Sequence, residues 1–261
     1  MKLIYHPIFL KHNTEGHPEG PERLQAFSDL PASSFDSGEE WLRLVHTPEH
    51  IRYVQEACRH SIPLDGSETL CQADSYEVAC MAVGATLAAA EHQAFALVRP
   101  PGHHAYPDRS TGFCLFNNTA IAAEKLRREG KRVLIFDFDG HHGDGTNDFF
   151  HDTDQVMFWS LHQYPAFPGT GNFNDIGAGR GKGYSINIPL PPGSADDIFC
   201  DAIEMTLPAA LQFKPDVVVL SAGFDAHHYD PMLDLKVSVN VFHWLGGLIR
   251  EHFPNTFATL E

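Results

Sequence analysis

The strongest constraint on the fold is a short run with no polar residue in it. Residues 217–220 read Val-Val-Val-Leu. An extended segment that is apolar on both faces demands burial on both, as in a strand of a parallel sheet. Further strand-like runs lie at 94–98, 133–136, 156–161 and Thr256–Leu260. Between them come stretches with helical periodicity: residues 117–128, apolar at Ile121, Ala122 and Leu126; residues 195–212, apolar at Ile198, Ile203 and Leu207; and residues 239–253. Strand alternating with helix predicts an α/β fold, a single open and mostly parallel sheet with helices on both faces. Pro208 is expected to kink or end the second helix, because proline donates no N–H and its ring crowds the preceding turn.

No internal repeat and no long Gly/Ser/Pro linker interrupts the 261 residues, so one domain spanning 1–261 is expected. With 43% hydrophobic and 20% charged residues, the chain can build a core, which excludes disorder as its general state. The charge balance is 18 − 34 = −16. That argues against nucleic acid, whose phosphates need a basic surface, and favours cationic ligands such as polyamines or lysine-rich tails. Five cysteines form no CxxC pair, so neither a disulfide framework nor a cysteine zinc site is expected. No run approaches the roughly 18 apolar residues of a membrane span. Met1-Lys2-Leu3-Ile4-Tyr5-His6 does not read as a secretory signal, so a cytoplasmic location is expected. Trp41, Trp159 and Trp244 read as core or interface anchors, and Gly169-Thr170-Gly171 as a tight turn.

The chemistry concentrates where strands end, which is where open α/β sheets build their sites. After residues 133–136 comes Asp137-Phe138-Asp139-Gly140-His141-His142-Gly143-Asp144. In extended chain, residues two apart point the same way, so Asp139 and His141 can offer an oxygen and a nitrogen to one divalent ion. A polar loop capping a helix is the plainer reading. After residues 217–220 comes Ser221-Ala222-Gly223-Phe224-Asp225. Asp225 is a candidate third ligand or a helix cap. After residues 94–98 comes Arg99-Pro100-Pro101-Gly102-His103-His104. This is a histidine pair on a bend, suited to acid–base work near neutral pH or simply a surface turn.

These motifs resemble the zinc-dependent histone deacetylase and acetylpolyamine amidohydrolase family, which has the arginase–deacetylase fold. The likeness runs from His17-Pro18-Glu19 to the end of the chain. It is carried by RPPGHHAYPDRSTGFCLFNN, FDFDGHHGDG, SLHQYPAFPGTG, GYSINIPLPPG and LSAGFDAHHYDP. The resemblance implies one zinc ion on Asp139, His141 and Asp225. It makes His103 and His104 the catalytic pair, oriented by Asp137 and Asp144. Gly112, Phe113 and Phe167 would wall an acyl-lysine tunnel, Met232 its rim, and Arg23 an inner channel; Cys114 would line the pocket. Two potassium ions are also implied. One would sit on backbone oxygens of Asp137, Asp139, His141 and Leu161, with the Asp137 carboxylate and the Ser160 hydroxyl. The other would sit on backbone oxygens of Phe150, Thr153, Val156 and Tyr184.

The implied activity is removal of an acetyl or other acyl group from a primary amine, of acetyl-lysine or acetylpolyamine type, by activated water with histidine as general base. Two departures qualify it. The family continues past a Leu-Glu pair with two glycines and a carbonyl-polarising tyrosine, whereas this sequence stops at Glu261. A truncated chain is therefore expected, with an acyl-lysine-binding pseudoenzyme as the alternative and a homo-oligomer as one way to cover the sheet. A lost oxyanion donor costs about 100- to 1,000-fold in rate. Glu68 stands where the family often has aspartate in a substrate-contacting loop. A binuclear arginase-like site is disfavoured, because Gly143 and His227 replace the extra carboxylates it needs.

Overall fold

The computed structural model describes residues 1–261, the side chain of Ser67 excepted. In chain order the elements are β1 (Leu3–Ile4), α1 (Pro48–Arg59), α2 (Ser75–His92), β2 (Phe95–Ala96), α3 (Asn118–Arg128), β3 (Val133–Asp137), α4 (Asp144–Phe150), β4 (Val156–Gln163), β5 (Ser185–Leu190), α5 (Asp196–Phe213), β6 (Val217–Ala222), α6 (Val239–His252) and β7 (Thr256–Leu260). They fall into two compact units, Met1–Lys125 with Phe257–Glu261, and Leu126–Thr256.

In the first unit β1, β2 and β7 run parallel, with Ile4 opposite Ala96 and Ala96 opposite Thr259. The helix α1 begins at a Thr47 cap, whose hydroxyl accepts the N–H of His50, followed by Pro48, which has no N–H to lose there. The helix α2 is rich in alanine and buried over most of its surface. Helices apolar on every side lie inside proteins. Gly84 lets the neighbouring chain approach: a Cβ there would sit 2.0 Å from the carbonyl oxygen of Asp36. A buried ion pair anchors the N-terminal segment. Arg99 is fully buried and meets both carboxylate oxygens of Glu19, Nε to Oε1 at 2.6 Å and Nη2 to Oε2 at 2.7 Å. Its other donors reach the carbonyls of Phe9, His12 and Glu19 and the hydroxyl of Thr14. Removing one member of such a pair takes most of the compensation from the other.

In the second unit the strand order is β6-β3-β4-β5, all parallel. Every residue of β3 and β4 is buried. Phe136 stacks on Trp159 at 4.1 Å between ring centroids. Trp159 donates to Thr206 on α5 at 3.0 Å. The strand β5 holds Pro189 opposite His162, which its edge position tolerates. Of the two outcomes expected at Pro208, a kink or an end to the helix, the end is not found: α5 continues to Phe213. Proline deprives the Glu204 carbonyl of its partner, but Pro208 and Glu204 are both exposed, so water can supply it. Among the described residues, no helix is long and apolar enough to cross a membrane.

Candidate metal centre and histidine turn

In the second unit, β3 and β6 lie side by side with Asp137 opposite Ser221, and both chains then leave the sheet. The segment after β3 folds back on its own carboxylates. Asp137 Oδ1 accepts the N–H of Asp139 at 3.1 Å, and Asp139 Oδ1 accepts the N–H of His141 at 2.8 Å. Such two-residue loops are a habit of aspartate. The segment after β6 supplies Asp225, whose Oδ1 accepts the N–H of Gly140 at 2.6 Å. Asp139, His141 and Asp225 thereby converge. The Nδ1 of His141 lies 2.6 Å from Asp225 Oδ2 and 3.3 Å from Asp139 Oδ1. One ligand atom from each of the three lies within 4.8 Å of the others.

Electrostatics mark the point between them as a place for positive charge. Burial alone would push the His141 imidazole down, but hydrogen bonds to Asp139 and Asp225 and their charges raise it to about 10. Burial, then the Asp139 carboxylate, pushes Asp225 up. Two buried carboxylates set beside one imidazole favour positive charge between them. Gly223 makes the convergence possible, since a Cβ there would meet Asp139 Oδ2 at 1.8 Å. The donor set of two carboxylate oxygens and one imidazole nitrogen fits a divalent ion such as zinc.

Around the triad, Phe167 presents its ring edge to His141 at 6.3 Å and is itself 43% exposed. Met232 is 41% exposed. Asp144 opens α4 and is buried. Ser160, opposite Asp137 on β4, hydrogen-bonds His162 Nδ1 at 2.9 Å, while His162 Nε2 meets the Gly171 carbonyl at 2.9 Å. A carbonyl only accepts, so Nε2 carries the proton and Ser160 donates to Nδ1. Burial holds His162 down at about 4, hence neutral.

In the first unit, Ala105 donates to the Gly102 carbonyl at 3.0 Å, closing a turn with His103 and His104 at its two central positions. Both histidines are buried, their ring centroids 4.0 Å apart. Gly112 packs on the second ring: with φ +55° it has room only for a hydrogen, because a Cβ would lie 2.4 Å from His104 Cδ2. Phe113 follows at φ +69°, a left-handed conformation unusual for an aromatic. Its N–H donates to Thr69 Oγ1 at 3.1 Å, and its ring meets the His17 ring edge-on at 4.4 Å. Glu68 is exposed, so the residue of this loop that reaches the Gly112–Phe113 pair is Thr69. Sequence reasoning gave no role of their own to Thr69, Gly223 and the side chain of Glu261. A glycine two residues before a candidate ligand was the available signal for Gly223.

A donor triad at the ends of parallel strands in an α/β chain defines a class of protein whose side chains could hold a divalent cation. Comparison with known proteins narrows it. Residues 17–260 match the histone deacetylase domain, and the chain belongs to that family. It is 38% identical over 280 residues to a probable deacetylase of Methanothermobacter thermautotrophicus, covering 100% of this chain and 85% of that protein. Among solved structures it is similar to the HDA15 HD domain, with TM-score 0.91 and 31% identity, covering 100% of this chain and 82% of that one. It is also similar to an acetylpolyamine aminohydrolase from Burkholderia pseudomallei, with TM-score 0.85 and 29% identity, covering 100% and 93%. The expected deacetylase-type α/β fold is thus found.

Proposed function

We propose that the chain hydrolyses the amide of an acylated primary amine, of acetyl-lysine or acetylpolyamine type, with one zinc ion held by Asp139, His141 and Asp225. The observation that carries this reading is the convergence of those three side chains on a point that calls for positive charge. When bound there, zinc supplies a Lewis acid for the amide carbonyl and makes water more acidic. His104 takes a proton from the attacking water and returns it to the leaving amine nitrogen. His103 balances charge as the tetrahedral oxygen develops. Asp137 and Asp144 hold the two imidazoles in tautomer and direction. Gly112, Phe113 and Phe167 pack along the acyl-bearing chain, Met232 lies at the rim, and Glu68 accepts from the substrate's amide.

The net charge of −16 supports a substrate that is cationic or becomes so on release of its amine. Potassium belongs to the same proposal. One ion would be held by backbone oxygens of Asp137, Asp139, His141 and Leu161 with the Asp137 carboxylate and Ser160; another would be held by those of Phe150, Thr153, Val156 and Tyr184. Donation from Ser160 to His162 leaves the serine oxygen an acceptor, which supports the first.

The test is His104→Ala, assayed on an acetyl-lysine peptide and on an acetylated polyamine, with zinc content measured alongside. Turnover falls at least about 100-fold with zinc retained. Unchanged turnover, or a wild-type chain that binds no divalent metal, overturns the reading.

A further inference from the structure

We infer that Glu261 is a positioning residue, whose carboxylate clamps the backbone of the His103–His104 turn and thereby sets the direction of both imidazoles. The inference rests on the hydrolase reading above for the histidines' role, though not for the clamp itself.

The turn hangs from one carboxylate. Oε2 of Glu261 accepts the N–H of Gly102 at 2.6 Å and that of His103 at 3.0 Å. Oε1 accepts the Thr119 hydroxyl at 2.9 Å, which fixes the rotation of the group. Glu261 is buried, as are Gly102, His103 and Thr119. Hydrogen bonds to an ionised acceptor are shorter and about twice as strong as neutral ones. A buried carboxylate with several such donors also has no cheap alternative conformation. The two bonded amides lie at the first position of the turn and at the first histidine. Holding them fixes the plane from which the His103 side chain departs and the start of the turn that carries His104.

Independent contacts hold the rest of the loop. Asn118 donates to the Pro100 carbonyl at 3.1 Å and Asn117 to the Ala105 carbonyl at 3.1 Å. A Cβ on Gly102 would lie 2.5 Å from the Asn118 nitrogen, so the turn cannot shift that way. The backbone carbonyl of Glu261 in turn accepts from Arg23, whose Nη1 meets Glu19 Oε1 at 3.3 Å. The clamp is therefore tied to the Glu19–Arg99 pair. Loss of the carboxylate takes away the acceptor that both buried amides share, and the turn must move to replace it.

The experiment compares the full chain with Glu261→Asp and Glu261→Gln. Glutamine keeps a carbonyl oxygen where Oε2 stands; aspartate keeps the charge but withdraws it by one methylene. Three readouts are taken: amide hydrogen exchange at Gly102 and His103, the ring titrations of His103 and His104 by NMR, and kcat and KM on an acetyl-lysine peptide. Glu261→Asp loses protection at both amides, shifts the two titrations, and lowers kcat about 10- to 100-fold with KM within about twofold, as a misplacement near 1 Å does. Glu261→Gln stays within about threefold of wild type. Wild-type exchange and kcat in Glu261→Asp overturn the clamp. A wild-type chain that turns over no acylated amine, while Glu261→Asp loses amide protection, overturns the hydrolase reading and leaves the clamp standing. Should Glu261→Asp fail to fold, Thr119→Val decides. Loss of the hydroxyl that holds Oε1 lowers kcat about threefold at unchanged KM, with partial loss of protection, and wild-type values there overturn the clamp.

Discussion

Gly223 and Asp139 share one space: the position a Cβ would take on residue 223 lies 1.8 Å from Oδ2 of the aspartate. Gly223→Ala must therefore push Asp139 away from His141 and Asp225. On the proposed function, a folded protein with at least about tenfold weaker zinc affinity is the expected outcome, since displacing the support of a ligand costs about 10- to 100-fold. Metal titration by calorimetry, with circular dichroism as the folding control, checks it. Unchanged affinity would mean that Asp139 is not a ligand.

Acid should destabilise the first unit through His46. Asn117 donates to its Nε2 at 2.9 Å, so its proton sits on Nδ1 and is given to the Tyr106 carbonyl at 3.0 Å. Burial, and then nearby His50, lower this imidazole from 6.5 to about 3. Between those values the unfolded chain binds a proton that the folded chain does not. Stability from this group is complete above about pH 6.5 and is lost as pH falls towards about 3, by up to roughly 1.4 kcal/mol per pH unit. Urea midpoints at pH 7, 5 and 4 measure the slope. His46→Gln, which keeps one donor and one acceptor, should flatten it.

Breaking the Arg99–Glu19 pair should cost more than any surface ion pair. Arg99→Met leaves the buried Glu19 carboxylate with only the half-exposed Arg23 at 3.3 Å as its cationic partner and several carbonyls without donors, and about 3 kcal/mol of stability is expected to go. By contrast, loss of Arg52 beside exposed Glu49 should cost well under about 1 kcal/mol. Chemical denaturation of both variants gives the comparison.

Phe113 offers a test with a reversed sign. Alanine is ordinarily the more stable replacement where glycine is the alternative. At φ +69° the order should invert, with Phe113→Gly more stable than Phe113→Ala by about 1 kcal/mol. Both lose the ring that meets His17, and on the proposed function both raise KM for the acyl substrate. Equal stabilities would show that the backbone relaxes at this site.

The sequence revealed most where burial was complete. The apolar runs at 133–136, 156–161 and 217–220 each became strands, lengthened by polar residues such as Asp137 and Ser221, which belong to the sheet but not to its apolar signal. The run at 94–98 shrank to Phe95–Ala96. The helix α2 escaped because a helix buried all round has no polar face to give it a period, and β5 because Pro189 and half-buried alternation mask an edge strand. Asp139, His141 and Asp225 were legible as candidates because each follows an apolar run closely. The hold of Thr69 on Phe113 and of Glu261 on Gly102 joins residues 44 and 159 apart, and no local pattern announces such pairs.

The contact between Gly112 and the ring of His104 limits how this chain can drift or be redesigned. Any other amino acid at 112 would contest the volume that the imidazole occupies, whatever its polarity. On the proposed function, mutational libraries aimed at altering acyl-chain preference should therefore leave codon 112 untouched. Diversity is better placed at Phe167 and Met232, which are exposed over about two fifths of their surface and so have room towards solvent.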